Sequence, residues 1–109
     1  MNPRPSSVSP FNLPQWAIRL ARSRHTPFLL KESRMQLAIE LASTNVANRT
    51  GGPFGAAVFE RTTWRLIAVG VNLVEPTRCS HAHAEMVALA NAQQAVGRFD
   101  LGAAGLPTH

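Results

Sequence analysis

The chain has 109 residues, 45% of them hydrophobic, and a chain of this length holds at most one small domain. Its formal net charge is +5, but residues 1–34 carry six of the eleven basic residues and one acidic residue, so the remainder is balanced and no nucleic-acid partner is expected. A single cysteine excludes an intrachain disulfide and favours a reducing compartment, here the cytoplasm, and no apolar stretch approaches the roughly 20 residues that would span a membrane.

Prolines and serines are frequent in residues 1–30, which we interpret as an accessory amino-terminal arm. Within this arm, residues 15–22 mix apolar and basic side chains, and Trp16 is among those predicted to cover part of a neighbouring surface. The domain itself is expected to occupy residues 31–109.

A first helix is predicted over residues 34–48, where apolar side chains recur at helical spacing. Ser33 followed three residues later by Gln36 has the form of a capping box, in which each side chain binds a free backbone N–H of the first turn. Residues 50–53, Thr-Gly-Gly-Pro, permit a tight turn and are predicted to end the helix.

Two strands are predicted next, over residues 54–60 and 66–72, with a turn over residues 61–65. Both segments are apolar at successive positions, a pattern typical of strands that are buried on both faces. Two strands do not complete a sheet, so we expect an α/β fold in which helices sandwich a sheet with further strands.

Residues 73–80 are polar and are predicted to be irregular, before a second helix over residues 82–96. That segment is rich in Ala, Met, Leu and Gln, and Gly97 is placed to end it. Residues 99–109 have no periodicity and resemble a linker.

Residues 79–85, Cys-Ser-His-Ala-His-Ala-Glu, concentrate the metal-binding side chains at the entry to the second helix. A catalytic zinc takes about three protein ligands and leaves a position open for water, whose pKa it lowers. Glu85, two residues after His83, suits a carboxylate that takes a proton from such a water and hands it to a departing amine. Glu85 need not be a ligand for this purpose.

Three segments together resemble the first half of the cytidine deaminase-like superfamily: residues 51–56 (Gly-Gly-Pro-Phe-Gly-Ala), 70–72 (Gly-Val-Asn) and 83–85 (His-Ala-Glu). In that superfamily a later P-C-x-x-C completes the H-x-E motif. The resemblance covers about residues 34–101 and implies a three-layer α/β/α sandwich, represented here by a helix, a two-strand hairpin and a helix. The first segment is similar to bacterial guanine deaminases, whereas tRNA adenosine deaminases usually have a Pro-Val-Gly-Ala type run.

The resemblance implies roles for five residues. They are His83 as a zinc ligand, Glu85 as the general acid/base, Asn72 as a hydrogen-bond partner of the purine, Phe54 as a wall of the base pocket, and Ala84, whose backbone N–H would meet a substrate carbonyl oxygen or ring atom. The implied cofactor is zinc, the substrate is a small-molecule purine base, and the expected assembly is a homodimer. The implied reaction is hydrolytic, with guanine converted to xanthine and ammonia.

The sequence departs from the family pattern in one respect. No cysteine follows Cys79, so the P-C-x-x-C pair that would supply the other two zinc ligands is absent. We therefore expect the chain to be an amino-terminal fragment that is inactive by itself.

Four alternatives remain open at this stage. His83 and Glu85 are also compatible with an ordinary helix start, since acidic residues are favoured in the first turn. Cys79, His81 and His83 form a Cys-x-His-x-His array, which on an extended segment would project three ligands to one side. The chain would otherwise be a non-enzymatic deaminase-like module that binds a partner through its sheet edge, or a deaminase of tRNA adenosine, cytosine or a triazine.

Overall fold

A computed structural model describes residues 12–80 and 82–97. The elements in chain order are α1 (Gln15–Arg22), α2 (Lys31–Ala47), β1 (Gly55–Phe59), β2 (Leu66–Val71), α3 (Val74–Thr77) and α4 (Ala84–Val96). No helix within these described ranges has the length and apolar character to cross a membrane. The predicted linker over residues 99–109 lies outside the described residues.

The two long helices cover opposite faces of the hairpin. β1 and β2 pair antiparallel, with Gly55 opposite Val71 and Ala56 opposite Gly70, so Gly55 and Gly70 lie on different faces. A Cβ on Gly55 would lie 2.5 Å from a carbonyl oxygen of α2, and a Cβ on Gly70 would collide with the backbone of α4. Both helices therefore approach the sheet closely at a glycine, which has no side chain. The predicted α/β/α sandwich is confirmed for this part of the fold.

One hydrophobic cluster holds these layers together. Its buried members are Leu37, Leu41, Val69, Val71, Leu73, Ala82 and Val87. Leu37 and Leu41 are one helical turn apart on α2, which is why a single helix face reaches the sheet. The candidate site described below is built at one end of this rigid core.

Helix α1 packs against the same sheet. Ala17 is completely buried, and Trp16 and Leu20 pack against the hydrophobic cluster. Arg24, just after α1, forms an ion pair with Glu40 of α2. Its Nη2 donates to both carboxylate oxygens of Glu40, at 3.0 and 2.9 Å. The domain boundary at residue 30 stays a prediction.

Helix α2 begins at Lys31, three residues before its predicted start, with Leu30 at the N-cap position. The capping-box prediction is wrong, because Ser33 lies inside the first turn and its hydroxyl donates to the Leu30 carbonyl at 2.6 Å. Arg34 holds the preceding segment against the helix, since its Nη1 donates to the Phe28 carbonyl at 2.7 Å. The helix therefore starts where the incoming chain is anchored.

The two strands differ in burial. β2 is buried from Ala68 to Val71, whereas β1 is only half-buried along its whole length. The prediction of two buried strands is therefore wrong for β1. The reason is that β2 lies under α4, its most extensive helix contact, and is also packed by α1 and α2, whereas β1 is contacted less extensively by α2 and α4.

The segment between β2 and α4 is more ordered than predicted. It contains the short helix α3, which ends where Arg78 adopts a left-handed conformation with φ of 53°. Helix α4 begins at Ala84, two residues after its predicted start, because Ala82 belongs to a turn in which its N–H donates to the Cys79 carbonyl. Gly97 ends α4 in a left-handed conformation, as predicted.

Candidate functional site

Backbone hydrogen bonds join the end of β2 to the start of α4. The N–H of Leu73 donates to the carbonyl of Ala82 at 2.8 Å. Asn72 precedes the first of these residues and His83 follows the second, so two residues eleven positions apart flank one hydrogen bond beside the end of β2. The structure thus brings together two of the predicted site residues.

The predicted metal ligand and the predicted proton carrier lie at the start of α4. His83 is the N-cap residue, in an extended conformation, and its carbonyl accepts the N–H of Val87 at 2.9 Å. Both His83 and Glu85 are exposed, whereas Ala84 between them is buried. The amides of a first helical turn have no intrahelical acceptor, so the Ala84 N–H is oriented for an external one. A carboxylate at position 85 also suits the positive end of the helix dipole.

Asn72 and Phe54 are neighbours across the start of the hairpin. The N–H of Asn72 donates to the Phe54 carbonyl at 3.2 Å, and Asn72 Oδ1 accepts the N–H of Val74 at the same distance. Since Oδ1 is engaged in the local turn, Nδ2 is the end of the Asn72 amide that can address an acceptor. The Phe54 side chain is 59% exposed and is therefore not part of the hydrophobic core.

Two of the three glycines in residues 51–56, Gly51 and Gly55, lie where a side chain would not fit. A Cβ on Gly51 would collide with the carbonyl oxygen of Asn72 and lie 2.6 Å from Nδ2 of Asn45. Two backbone segments therefore approach each other more closely than any side chain permits. This contact accounts for Gly51, and the packing on α2 accounts for Gly55.

Asn45 supports the site, although the sequence analysis did not single it out. It is completely buried on α2, and its Nδ2 donates to the carbonyls of Gly52 (2.9 Å) and Asn72 (3.0 Å). A signal existed in the sequence, since Asn45 continues the four-residue spacing of Leu37 and Leu41 on the buried face. A polar side chain at such a position requires hydrogen-bond partners.

The described residues supply only part of a metal site. No group of three His, Cys, Asp or Glu side chains that could hold a metal ion occurs within residues 12–80 and 82–97. Cys79 packs against the hydrophobic cluster, and His81 lies outside the described residues. Because the Cys-x-His-x-His array includes His81, that alternative stays a prediction. His83 fits a single zinc ligand, and a complete site needs further donors.

Residues 30–106 match the family model of the cytidine and deoxycytidylate deaminase zinc-binding region, and the chain belongs to this family. The superfamily predicted from the three sequence segments is thereby confirmed, and zinc is the cofactor of this domain family. Among curated proteins, none matches the chain significantly.

Solved structures of guanine deaminases are similar to the chain. The guanine deaminase from Nitrosomonas europaea is 45% identical, with 87% of this chain and 51% of that chain covered and a TM-score of 0.79. The guanine deaminase from Bacillus subtilis is 32% identical, with 67% of this chain and 45% of that chain covered and a TM-score of 0.60. A structure of NE0047 in complex with 2,6-diaminopurine is also 45% identical, with 87% of this chain and 49% of that chain covered and a TM-score of 0.79. The chain spans about half the length of these structures.

Proposed function

We propose that the whole protein catalyses the zinc-dependent hydrolytic deamination of a purine nucleobase, with guanine as the substrate. The observation that carries this proposal is the 45% identity to the guanine deaminase from Nitrosomonas europaea over 87% of this chain. Family membership alone leaves the base open, because the matched family also includes deaminases of cytidine and deoxycytidylate. The relation to two guanine deaminases favours a purine.

In the proposed reaction, guanine and water give xanthine and ammonia. Zinc, when bound, supplies the Lewis acidity that lowers the pKa of the attacking water. Among the residues of this chain, His83 would hold the metal, and Glu85 would accept the proton of the water and deliver it to the leaving amine. Their positions support these roles, since both are exposed at the first turn of α4.

Three groups beside His83 are proposed to orient the base. Guanine carries acceptors at its carbonyl oxygen and ring nitrogens, which suit the Nδ2 of Asn72 and the backbone N–H of Ala84 as donors. The exposed ring of Phe54 would stack on the base or border it. Two backbone hydrogen bonds support this grouping. The N–H of Asn72 donates to the Phe54 carbonyl, and the N–H of Leu73 donates to the Ala82 carbonyl.

We also propose that the protein is a cytoplasmic homodimer with an accessory arm over residues 1–30. Exposed apolar side chains on α2 support association: Met35, Ile39 and Val46 are 60%, 57% and 49% exposed. The single, unpaired Cys79 supports a reducing compartment. Light scattering of the purified protein tests the assembly, and a monomer at micromolar concentration would contradict it.

Ammonia release from guanine, cytosine and tRNA adenosine by the complete protein tests the function. We expect zinc in the purified enzyme and release from guanine alone. Release from cytosine or tRNA in place of guanine would reassign the substrate. A protein that binds zinc and deaminates none of the three would favour a non-enzymatic module.

The 109-residue chain offers a second test, in which we expect neither stoichiometric zinc nor ammonia. About one zinc per chain would mean that Cys79, His81 and His83 suffice as ligands. That result would contradict the assignment of His83 as one member of a larger ligand set.

A further inference from the structure

We propose that Trp16, Thr50 and Asn45 form a hydrogen-bond relay, half-buried at Trp16 and Thr50 and fully buried at Asn45, that positions the substrate-orienting Asn72. The inference rests on the proposed function in one respect, the assignment of Asn72 to the base. None of the three residues is proposed to touch substrate, so they are positioning residues. We call this set the Trp16–Thr50–Asn45 relay.

The relay is continuous from α1 to the site. Trp16 Nε1 donates to Thr50 Oγ1 at 3.0 Å, and that hydroxyl donates to Asn45 Oδ1 at 2.6 Å. Asn45 Nδ2 then donates to the carbonyls of Gly52 and Asn72 at 2.9 and 3.0 Å. Four side-chain hydrogen bonds thus connect the amino-terminal helix to the backbone on both sides of the proposed base site.

The chemistry of the groups fixes the direction of the relay. An indole N–H donates only, and a carbonyl oxygen accepts only. Thr50 must therefore accept from Trp16 and give its one proton to Asn45, whose amide must point its NH₂ group at the two carbonyls. Asn45 has a single orientation that satisfies every partner, and reversing it would place its oxygen against two carbonyl oxygens.

Burial makes this orientation energetically important. Asn45 is completely buried, and a buried amide that loses its hydrogen-bond partners destabilises the folded state. The Gly51 backbone leaves no room for adjustment, since it already approaches the Asn72 carbonyl more closely than a side chain allows. Two hydrogen bonds therefore position Asn72. Its backbone carbonyl accepts from Asn45 Nδ2, and its side-chain Oδ1 accepts from the N–H of Val74.

The relay gives α1 a role in the site. The matched family region begins at residue 30, so Trp16 lies before it. Ala17 anchors the helix in the core, which fixes the indole on its neighbouring residue relative to Thr50. The segment before the family domain thereby contributes to the geometry of the base site.

The test uses two substitutions of Thr50 in the complete protein. Thr50→Val removes the hydroxyl at nearly constant shape, whereas Thr50→Ser keeps it. Ser43→Ala is the matched control, because the exposed hydroxyl of Ser43 donates to the Ile39 carbonyl of its own helix, α2, at 3.0 Å. Trp16→Phe removes the indole donor and retains an aromatic ring.

Amide hydrogen exchange gives a readout that is independent of the reaction. In Thr50→Val we expect the backbone N–H groups of Phe54 and Val74 to exchange about tenfold faster. This factor corresponds to the loss of one hydrogen bond of about 1.4 kcal/mol. Exchange at Val87, in α4, is expected to keep its wild-type rate. Wild-type rates at Phe54 and Val74, or equal acceleration at Val87, would overturn the relay.

Kinetics with guanine give the second readout. We expect Thr50→Val to raise KM by about tenfold with a smaller change in kcat, Thr50→Ser to restore the wild-type KM, and Trp16→Phe to give a partial rise. In an Asn72→Ala background, Thr50→Val should raise KM no further. If the two substitutions instead raise KM additively, Thr50 does not act through Asn72, and the proposal is overturned. If the wild-type protein does not deaminate guanine, the proposed function fails, and hydrogen exchange alone decides the relay.

Discussion

The N–H of Leu73 donates a 2.8 Å hydrogen bond to the carbonyl of Ala82, and this bond closes the loop between β2 and α4. Within the loop, α3 and the turn from Cys79 to Ala82 take up the intervening residues. As a result, the residues on either side of the bond, Asn72 and His83, lie at one site. The loop therefore connects the proposed base-binding residue Asn72 to the proposed metal ligand His83.

Substitutions at the start of α4 should separate metal binding from proton transfer in the complete protein. We expect Glu85→Gln to leave the zinc content near normal and to reduce kcat by at least about a hundredfold, since general acid/base catalysis contributes that much or more. His83→Ala should lose zinc as well as activity. Glu75→Gln, on the exposed face of α3, is the charge-matched control. Elemental analysis and ammonia release give the two readouts, and full activity of Glu85→Gln would refute the assigned mechanism.

The contact between β2 and α4 predicts a strong steric effect at Gly70. Gly70→Ala would push a methyl group into the backbone of Ala84 and Ala88, so we expect the free energy of unfolding to fall by about 1–3 kcal/mol. Gly52→Ala is the matched control, because its Cβ would lie 3.5 Å from Asn72 Cγ, an ordinary contact. Its stability should stay within about 0.5 kcal/mol of wild type.

Urea unfolding of both glycine variants measures these differences. Equal stability of Gly70→Ala and Gly52→Ala would mean that α4 can move away from the sheet. In that case the packing of α4 would not fix the position of Glu85.

The sequence predicts the helices and strands well because their apolar spacing records which faces are buried. The predicted helix over residues 34–48 and the predicted strand over residues 66–72 agree with the structure to within three residues at each end. Helix starts are predicted less accurately, because they depend on the hydrogen bonds of Arg34 and of the Cys79 turn, which the apolar spacing does not record.

The site was predictable to a different extent. The motif over residues 83–85 identified His83 and Glu85 as candidates, but the supporting role of Asn45 depends on a contact with Asn72, 27 positions away. Such a partner is not apparent from local sequence, because buried polar groups are recognised by what surrounds them in space. The hairpin likewise has a register irregularity between Val58 and Phe59 that alternation alone does not reveal.

The hairpin turn predicts a pH-dependent contribution to stability. The carboxylate of Glu60 accepts the backbone N–H groups of Thr63 and Thr62, at 2.5 and 2.9 Å, and the bond from Thr63 is the main cause that lowers the pKa of Glu60. A lowered pKa in the folded state means that the contribution is complete above the unfolded-state pKa and is lost as the pH falls through the folded-state value.

An NMR titration of the Glu60 side-chain carboxyl group measures this pKa directly. We expect a midpoint below the ordinary range of a glutamate, and the Glu60→Gln variant assigns the resonance. In that variant, the acid-induced loss of stability should be smaller than in the wild type. A midpoint at or above the ordinary value would contradict the hydrogen bonds from Thr62 and Thr63.

Phe54, immediately before β1, and Phe59, the last residue of β1, should respond to substitution in opposite ways in the complete protein. Phe54 is 59% exposed beside Asn72, whereas Phe59 packs on Phe28 with ring centroids 5.2 Å apart. We expect Phe54→Leu to raise KM for guanine by about tenfold, because stacking of a base on an aromatic ring is worth about 1–3 kcal/mol, and to change stability little. Phe59→Leu should lower the free energy of unfolding by about 1 kcal/mol and leave KM unchanged. If Phe54→Leu instead lowers stability and spares KM, the ring is a packing group in the complete protein, and the base must be bounded by another side chain.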